Sequence, residues 1–423
     1  MSRHIRIGLL GLGTVGTGLV EIIERNSELI RNKSDVTFEI VKALVKDPNK
    51  PRPLPPEKIT TDPEQIFTDK EIDLIVEVIG GISPAREYII RAFECGKDVV
   101  TANKAVLATH GDEIFRSAAS NGKQLGFEAS VCGGIPILRA ITSGLIGNRV
   151  NSLTGILNGT SNFILTRMQE EFISFEDALQ IAKEKGLAEA DPTLDVSGMD
   201  AGHKLMILAE LTFQAKPKIE SLKVEGITSL DPNDFRTADS LGFVIKPVAM
   251  ANRVSDQLDL RVHPALVPKN HHLAAVRNED NAVIISGDAI GEMVFHGKGA
   301  GSLPTASAVL SDLVEIARNP NSSPLWNPTR TIESTNVDSC SRFYLRFPIF
   351  DRPGMIGLIS TVLGNHQISI TDAIARLVCD ETNQGNVMIM THEAPESAVR
   401  AAIEHIRGAG ALNGPAIALR IIG

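Results

Sequence analysis

Apolar residues in this chain fall into short runs that alternate with stretches of helical spacing. His4 to Leu10 reads as a buried strand and Thr17 to Asn26 as an amphipathic helix, with a glycine-rich turn between them. Phe38 to Val45, Asp73 to Ile79, Asp98 to Thr101 and Gln124 to Glu128 are further strand-like runs. Helices are predicted over Pro84 to Cys95, stopped by Gly96, and over Gly111 to Asn121. Strand–helix alternation of this kind predicts an α/β, doubly wound parallel sheet of Rossmann type over residues 1–134.

The rhythm loosens from about Ile135 to residue 320. Helices are expected near Asn162 to Glu170, Phe175 to Lys185 and Asp200 to Ala215, and Val283 to Gly297 looks strand-rich. An α+β domain for substrate binding and dimerisation is expected over 135–320. Its last helix, about 303–320, would return to the first domain. Residues 321–340 read as a linker. From Ser341 the order is strand, Pro-Gly turn, helix, strand, strand, helix, strand, a ferredoxin-like βαββαβ unit over 341–423.

Composition narrows the class. With 423 residues, 43% hydrophobic and 22% charged, the chain is long enough for two or three ordinary globular domains. A net charge of −9 argues against nucleic acid or an anionic membrane as partner. The four cysteines, Cys95, Cys132, Cys340 and Cys379, form no CxxC pair, so reduced thiols and a cytoplasmic location are expected. There is no apolar run long enough to span a membrane, and the first residues lead straight into a strand rather than a signal peptide.

Two motifs carry chemistry. Gly11-Leu12-Gly13-Thr14-Val15-Gly16 follows a strand and opens a helix, the context in which this spacing marks a dinucleotide pyrophosphate site at helix amides. Gly80 closes the third strand on the same edge. At the end of the second strand Lys46 stands where a ribose-binding acid is usual, a lean toward the 2′-phosphate of NADP, while Asp47 keeps NAD open. Thr101-Ala102-Asn103-Lys104 lies at the carboxyl end of a sheet strand, where ligands bind in such folds, and places Lys104 near the cofactor or the reacting oxygen. The second motif is the run from Lys185 to Asp200 with Lys204. Asp200 and Lys204 are four apart and share a helix face, which by spacing alone is an ordinary surface pair. Glu189, Asp191 and Asp195, just upstream in a Gly/Pro-broken segment, are expected to fold over that face, giving a site that holds an amino group while a proton moves. His203 points to another face.

With those stretches in hand the chain resembles homoserine dehydrogenase over essentially its whole length. The resemblance rests on Gly8 to Gly16, Thr101 to Lys104, Gly155 to Phe163, Gly186 to Leu208 and Gly299 to Ala306. It implies reversible NAD(P)-linked conversion of L-aspartate 4-semialdehyde to L-homoserine, in threonine, methionine and isoleucine biosynthesis. Lys204 would be the catalytic lysine and Lys104 a second one beside the cofactor. Glu189 and Asp200 would bind the substrate, with Asp195 and Thr160 beside them in the matching stretches. Gly186 and Gly301 would approach the nicotinamide cofactor. Glu128 to Ile135 is similar to a monovalent-cation loop, with the Glu128 carboxylate and the carbonyls of Val131, Gly133 and Ile135 as ligands for an ion such as Na⁺. The C-terminal unit, with its Asp351 to Leu363 stretch, is similar to an ACT domain, which implies feedback inhibition by threonine. A homodimer or homotetramer is the implied assembly. Two other readings stay open: a dehydrogenase for another amino acid on the same scaffold, and a non-catalytic NAD(P)-binding sensor.

Overall fold

The computed structural model describes residues 3–255, 257–320, 338–379 and 384–423. Most of the linker expected at 321–340 lies outside the described residues. Contacts divide the chain into two compact units. One holds Met1–Gly159, Asp200–Ile219 and Asp280–Ile332, the other Thr160–Met199, Glu220–Glu279 and Glu333–Gly423. The units are interleaved in sequence.

The first unit is built on six strands: β1 (Arg3–Leu10), β2 (Val36–Leu44), β3 (Ile59–Thr60), β4 (Leu74–Glu77), β5 (Asp98–Thr101) and β6 (Leu125–Gly126). All pairings are parallel and the order is β3-β2-β1-β4-β5-β6, the doubly wound arrangement that the alternation predicts. Ile7 to Leu10 are buried without alternation, as a strand covered on both faces must be. On one face Leu19, Val20 and Ile23 of the Thr14–Arg25 helix pack with Ala306, Val309 and Leu313 of the Ser302–Arg318 helix. On the other, Phe67, Ile75, Ile89, Phe93 and Ile114 form a second core. Two boundaries differ from the sequence reading. The helix expected from Gly111 begins at Lys104, because Asn103 caps it by accepting from the Val106 amide at 3.3 Å. The strand expected to reach Glu128 stops at Gly126, since Glu128–Ser130 coils into a 3-10 turn whose Glu128 amide donates to Asp312 Oδ2 at 2.8 Å.

The same unit contains an antiparallel set. Val150–Ile156 pairs with Asp280–Gly287, which turns back as Gly291–Lys298, so the strand-rich stretch is a hairpin. The Met199–Phe213 helix from Asp200 onward belongs here as well.

In the second unit Phe243–Val254 and Gln257–Pro268 form a long antiparallel ladder, and Ile417–Ile421 adds to the latter in parallel. Cys340–Phe350, Gln384–Thr391 and Ile370–Cys379 follow outward in that order. With the Met355–Asn365 and Glu396–Gly408 helices this is the expected βαββαβ order. The strand Cys340–Phe350 shows period-two sorting. Phe343, Leu345 and Phe347 face the two helices through Ile359, Leu363, Val399 and Ile406. Tyr344 instead joins Phe163, Ile164, Met168, Phe175 and Phe235, residues far upstream in the chain. The βαββαβ sheet therefore shares a core with the rest of its unit. Among the described residues no helix is long and apolar enough to cross a membrane.

Candidate functional site

The carboxyl edge of the parallel sheet sets out the first half of the site. Gly13 caps the Thr14–Arg25 helix, and a side chain there would meet nothing within 4 Å, leaving the approach to the helix amides open. Gly11 and Gly16 are needed for the opposite reason. A Cβ on Gly16 would lie 2.3 Å from the Gly11 carbonyl oxygen, and Gly11 has φ +103° against the Val78 carbonyl. The loop is thus a cradle that fits a pyrophosphate. Leu12 is buried beneath it, and Ser302 Oγ donates to the Thr14 carbonyl at 2.7 Å, which ties Gly301, the cap of the Ser302 helix, to the same region. Val15 packs against the adjoining core, and Gly80 turns at φ +80° with open space around it.

Beside this cradle is a cavity of about 520 Å³ whose lining includes Gly11, Gly13, Lys46, Lys50, Arg52 and Tyr88. Arg52 was not singled out in the sequence. It donates to the Leu12 carbonyl and, at 3.4 Å, to the Asp47 carbonyl, and its Nε is buried without a hydrogen-bond partner. Asp47 turns its carboxylate onto the Asn49 amide at 3.0 Å. Three cations therefore border the cavity while the nearby acid is engaged in its own turn.

A buried network fixes Lys104. Glu77 accepts from the Ile79 amide (2.8 Å) and from Thr101 Oγ1 (2.6 Å), Thr101 Oγ1 accepts from the Asn103 amide (3.0 Å), and Asn103 Nδ2 donates to the Gly81 carbonyl (2.7 Å). Burial pushes Glu77 up, against these hydrogen bonds. The Lys104 helix thus starts at a rigid point. Its ammonium group lies 2.7 Å from Asp200 Oδ1, and Lys204 Nζ lies 2.7 Å from Asp200 Oδ2. Asn158 Nδ2 also donates to Oδ2, at 2.8 Å. Lys204 donates to the Leu157 carbonyl at 2.7 Å, and Asn281 Nδ2 donates to that same carbonyl at 3.0 Å. Burial on its own would raise the Asp200 carboxyl, but the ammonium groups of Lys204 and Lys104 outweigh it and hold it well below the usual carboxylate range. One buried carboxylate between two lysines leaves a net positive centre, suited to oxygen that gains negative charge.

Two family models match the chain. One described as homoserine dehydrogenase, NAD binding domain, covers residues 11–128, and one described as homoserine dehydrogenase covers residues 136–314. The chain belongs to the homoserine dehydrogenase family. It is 43% identical to a homoserine dehydrogenase of Synechocystis over 95% of its length and 96% of that protein's. It is 38% identical to one of Pseudomonas aeruginosa, with 99% of each chain covered. The crystal structure of a homoserine dehydrogenase from Thiobacillus denitrificans superposes with a TM-score of 0.91 at 38% identity, covering 99% of this chain and 98% of that one. Membership makes this chain an NAD(P)-dependent oxidoreductase.

Other residues that the sequence singles out are placed as follows. Glu128 is buried, and its two oxygens accept from the Leu138 and Arg139 amides at 2.9 and 2.8 Å. Burial raises its carboxyl, opposed by those two amides and the Arg139 charge. Val131 is buried, Gly133 has φ +44° and a Cβ there would meet the Gly299 carbonyl, and the Ile135 carbonyl accepts from the Ile137 amide at 2.8 Å. Among the described residues no group of three or more His, Cys, Asp or Glu side chains is arranged to hold a metal. A loop with one carboxylate and several carbonyls is a different, all-oxygen donor set. Gly186, Glu189, Asp191, Asp195 and Thr160 belong to the second unit. There Thr160 Oγ1 donates to the Leu187 carbonyl and Ser161 Oγ to the Asp195 carbonyl, both at 2.8 Å, which pins the segment preceding Asp200. Gly186 (φ +69°) and Glu189 are exposed. His203 is half-buried, and burial lowers its imidazole. Asn158 and Asn281 went unremarked as site residues in the sequence. Asn158 lies inside a motif that carries the resemblance, which was the available signal.

Proposed function

We propose that the protein interconverts L-homoserine and L-aspartate 4-semialdehyde, with Lys204 as the proton carrier. The observation that supports this reading is the Lys104–Asp200–Lys204 chain, with contacts of 2.7 Å on each side of one buried carboxylate. The bound nicotinamide supplies or removes the hydride. In the reducing direction Lys204 gives its proton to the aldehyde oxygen, and Lys104 stabilises the charge that gathers there. In the oxidising direction the hydroxyl proton passes to the neutral Lys204 amine. Asp200 and the Leu157 carbonyl hold Lys204 in place. Lys104, the more exposed lysine, leaves Asp200 Oδ1 when substrate enters, which frees that oxygen for the substrate's ammonium group. Glu189, Asp195 and Thr160 complete the substrate contacts.

Lys46, Lys50 and Arg52 favour NADP over NAD, because a 2′-phosphate needs cations where NAD needs an acid. Gly186 and Gly301 approach the nicotinamide end. Glu128 with the carbonyls of Val131, Gly133 and Ile135 takes a hard monovalent cation such as Na⁺. The 341–423 unit acts as an ACT domain that binds threonine at the Asp351 to Gly357 turn, beside a cavity of about 440 Å³. The enzyme works as a cytoplasmic homodimer or homotetramer in the synthesis of threonine, methionine and isoleucine.

The test is homoserine-dependent reduction of NADP by the purified protein, with NAD in parallel. Lys204→Ala is expected to lose turnover and keep cofactor affinity. Equal turnover by wild type and variant, or none by a wild type that binds NADP, would refute the assignment.

A further inference from the structure

The Lys104–Ser120 and Met199–Phe213 helices, which carry the two lysines and Asp200 near their starts, enclose a second cavity further along. It measures about 320 Å³ and is closed by the segment from Lys216 to Ile219. Its floor is apolar: Leu107, Phe115, Phe127, Met206 and Ile207 line it, with Phe115 and Phe127 in an edge-on ring contact at 5.3 Å. Against that floor stands the Glu210 carboxyl group, and a second, Asp112, lies at the rim. Glu210 Oε1 is buried with no hydrogen-bond partner, and burial alone pushes the group up to about 8. A buried polar atom in such a place is costly unless something supplies its partner. At the rim are Lys218 and the Lys216–Asp112 ion pair. The lining thus offers an acid at depth, an apolar wall and, at the mouth, two lysines with the one carboxylate that pairs with Lys216.

We propose that this cavity is an effector site for a small zwitterion with an apolar body, an apolar α-amino acid, whose ammonium group Glu210 receives and whose carboxylate faces the rim lysines. The apolar side chain covers the Leu107 and Met206 wall. Because the site wedges the two helices that hold Lys104 and Asp200, its occupation alters turnover. That second part rests on the reaction proposed above; the binding itself does not.

Calorimetric titration of the full-length protein with L-leucine tests the site, with 4-methylpentanoate (no ammonium group) and 3-methylbutylamine (no carboxylate) as controls. Leucine is expected to bind wild type at least tenfold more tightly than either control. It is also expected to bind at least tenfold more tightly to wild type than to Glu210→Gln or to Leu107→Trp, which fills the cavity by a different route. Saturating leucine is expected to change kcat for homoserine oxidation at least twofold in wild type and in neither variant. Leucine binding equally to all three proteins or to none, a control binding as tightly as leucine, or occupancy with unchanged kcat would each overturn the proposal. A wild type with no homoserine turnover would fail the assigned reaction instead, while the titration would still decide the site.

Discussion

Asp200→Asn removes one formal charge and almost no volume from the centre of the Lys104–Asp200–Lys204 group. The variant keeps the Asn158 and Lys204 neighbours but leaves two ammonium groups without their counter-charge. At an effective dielectric of about 20, each 2.7 Å contact is worth roughly 6 kcal/mol of direct attraction before desolvation is subtracted. Removing one partner of a buried pair costs about 3–5 kcal/mol net. Lys104 has a side chain 38% exposed and can turn to water, whereas that of Lys204 is 11% exposed and cannot. The loss therefore falls chiefly on Lys204, and a destabilisation of about 3 kcal/mol is expected, at the low end of that range. With Lys204 as the proposed proton carrier, turnover should fall further, because misplacing such a group forfeits about 10²–10⁴ in rate. Urea unfolding followed by circular dichroism reads the first effect and kcat for homoserine oxidation the second, with NADP affinity as the control expected to hold. A variant with the wild-type urea midpoint and wild-type kcat would refute the view that Asp200 holds the lysines.

Arg52→Ala is expected to weaken NADP binding at least tenfold and leave NAD binding within twofold; an equal loss for both would mean that Arg52 only secures the loop through the Leu12 carbonyl. Glu396→Gln addresses pH. Glu396 is buried among Arg261, Arg400 (2.6 Å), Arg420 (2.7 Å) and Lys223 (3.4 Å). Burial would raise its carboxyl, but the Arg261 hydrogen bond, the Arg420 charge and the Arg400 hydrogen bond hold it well below the usual range. A folded-state pKa lower than the unfolded one gives stability that is fully present above the unfolded value of about 4.3 and is lost progressively as pH falls from there through the folded-state value. The variant is therefore expected to be less stable at pH 7 and to lose less on going from pH 5 to pH 3. Parallel pH dependences of the urea midpoint in both proteins would refute this.

The shared core of the βαββαβ sheet bears on how the proposed threonine inhibition should be tested. Removing residues 341–423 would strip Tyr344, Met388, Met390 and Leu419 from the core around Phe163 and Phe235, so the rest of the unit would lose its packing. A point change such as Asp351→Ala, in the Asp351 to Gly357 turn, is the cleaner perturbation, and unchanged threonine inhibition there would count against the ACT assignment.

Local rules settled a good part of this molecule. Glycine spacing after a buried strand announced the cofactor cradle, because a left-handed turn and a close carbonyl approach are demands that few residues meet. Helical spacing put Asp200 and Lys204 on one face, because a helix repeats every 3.6 residues. Period-two and strand–helix patterns gave the doubly wound sheet and the C-terminal unit. Tertiary structure alone decided what crosses long stretches of chain. It brought Lys104 to Asp200, put Arg52 over the Gly11 loop and set Asn281 on the Leu157 carbonyl. It also assigned the Met199–Phe213 helix to the first unit, while the acids upstream of it went to the second. None of these has a sequence period, since each depends on how separate elements stack. A lone carboxylate at position 200 looks the same in sequence on an open surface or between two buried ammonium groups. Only the packing around it sets its charge state and its role.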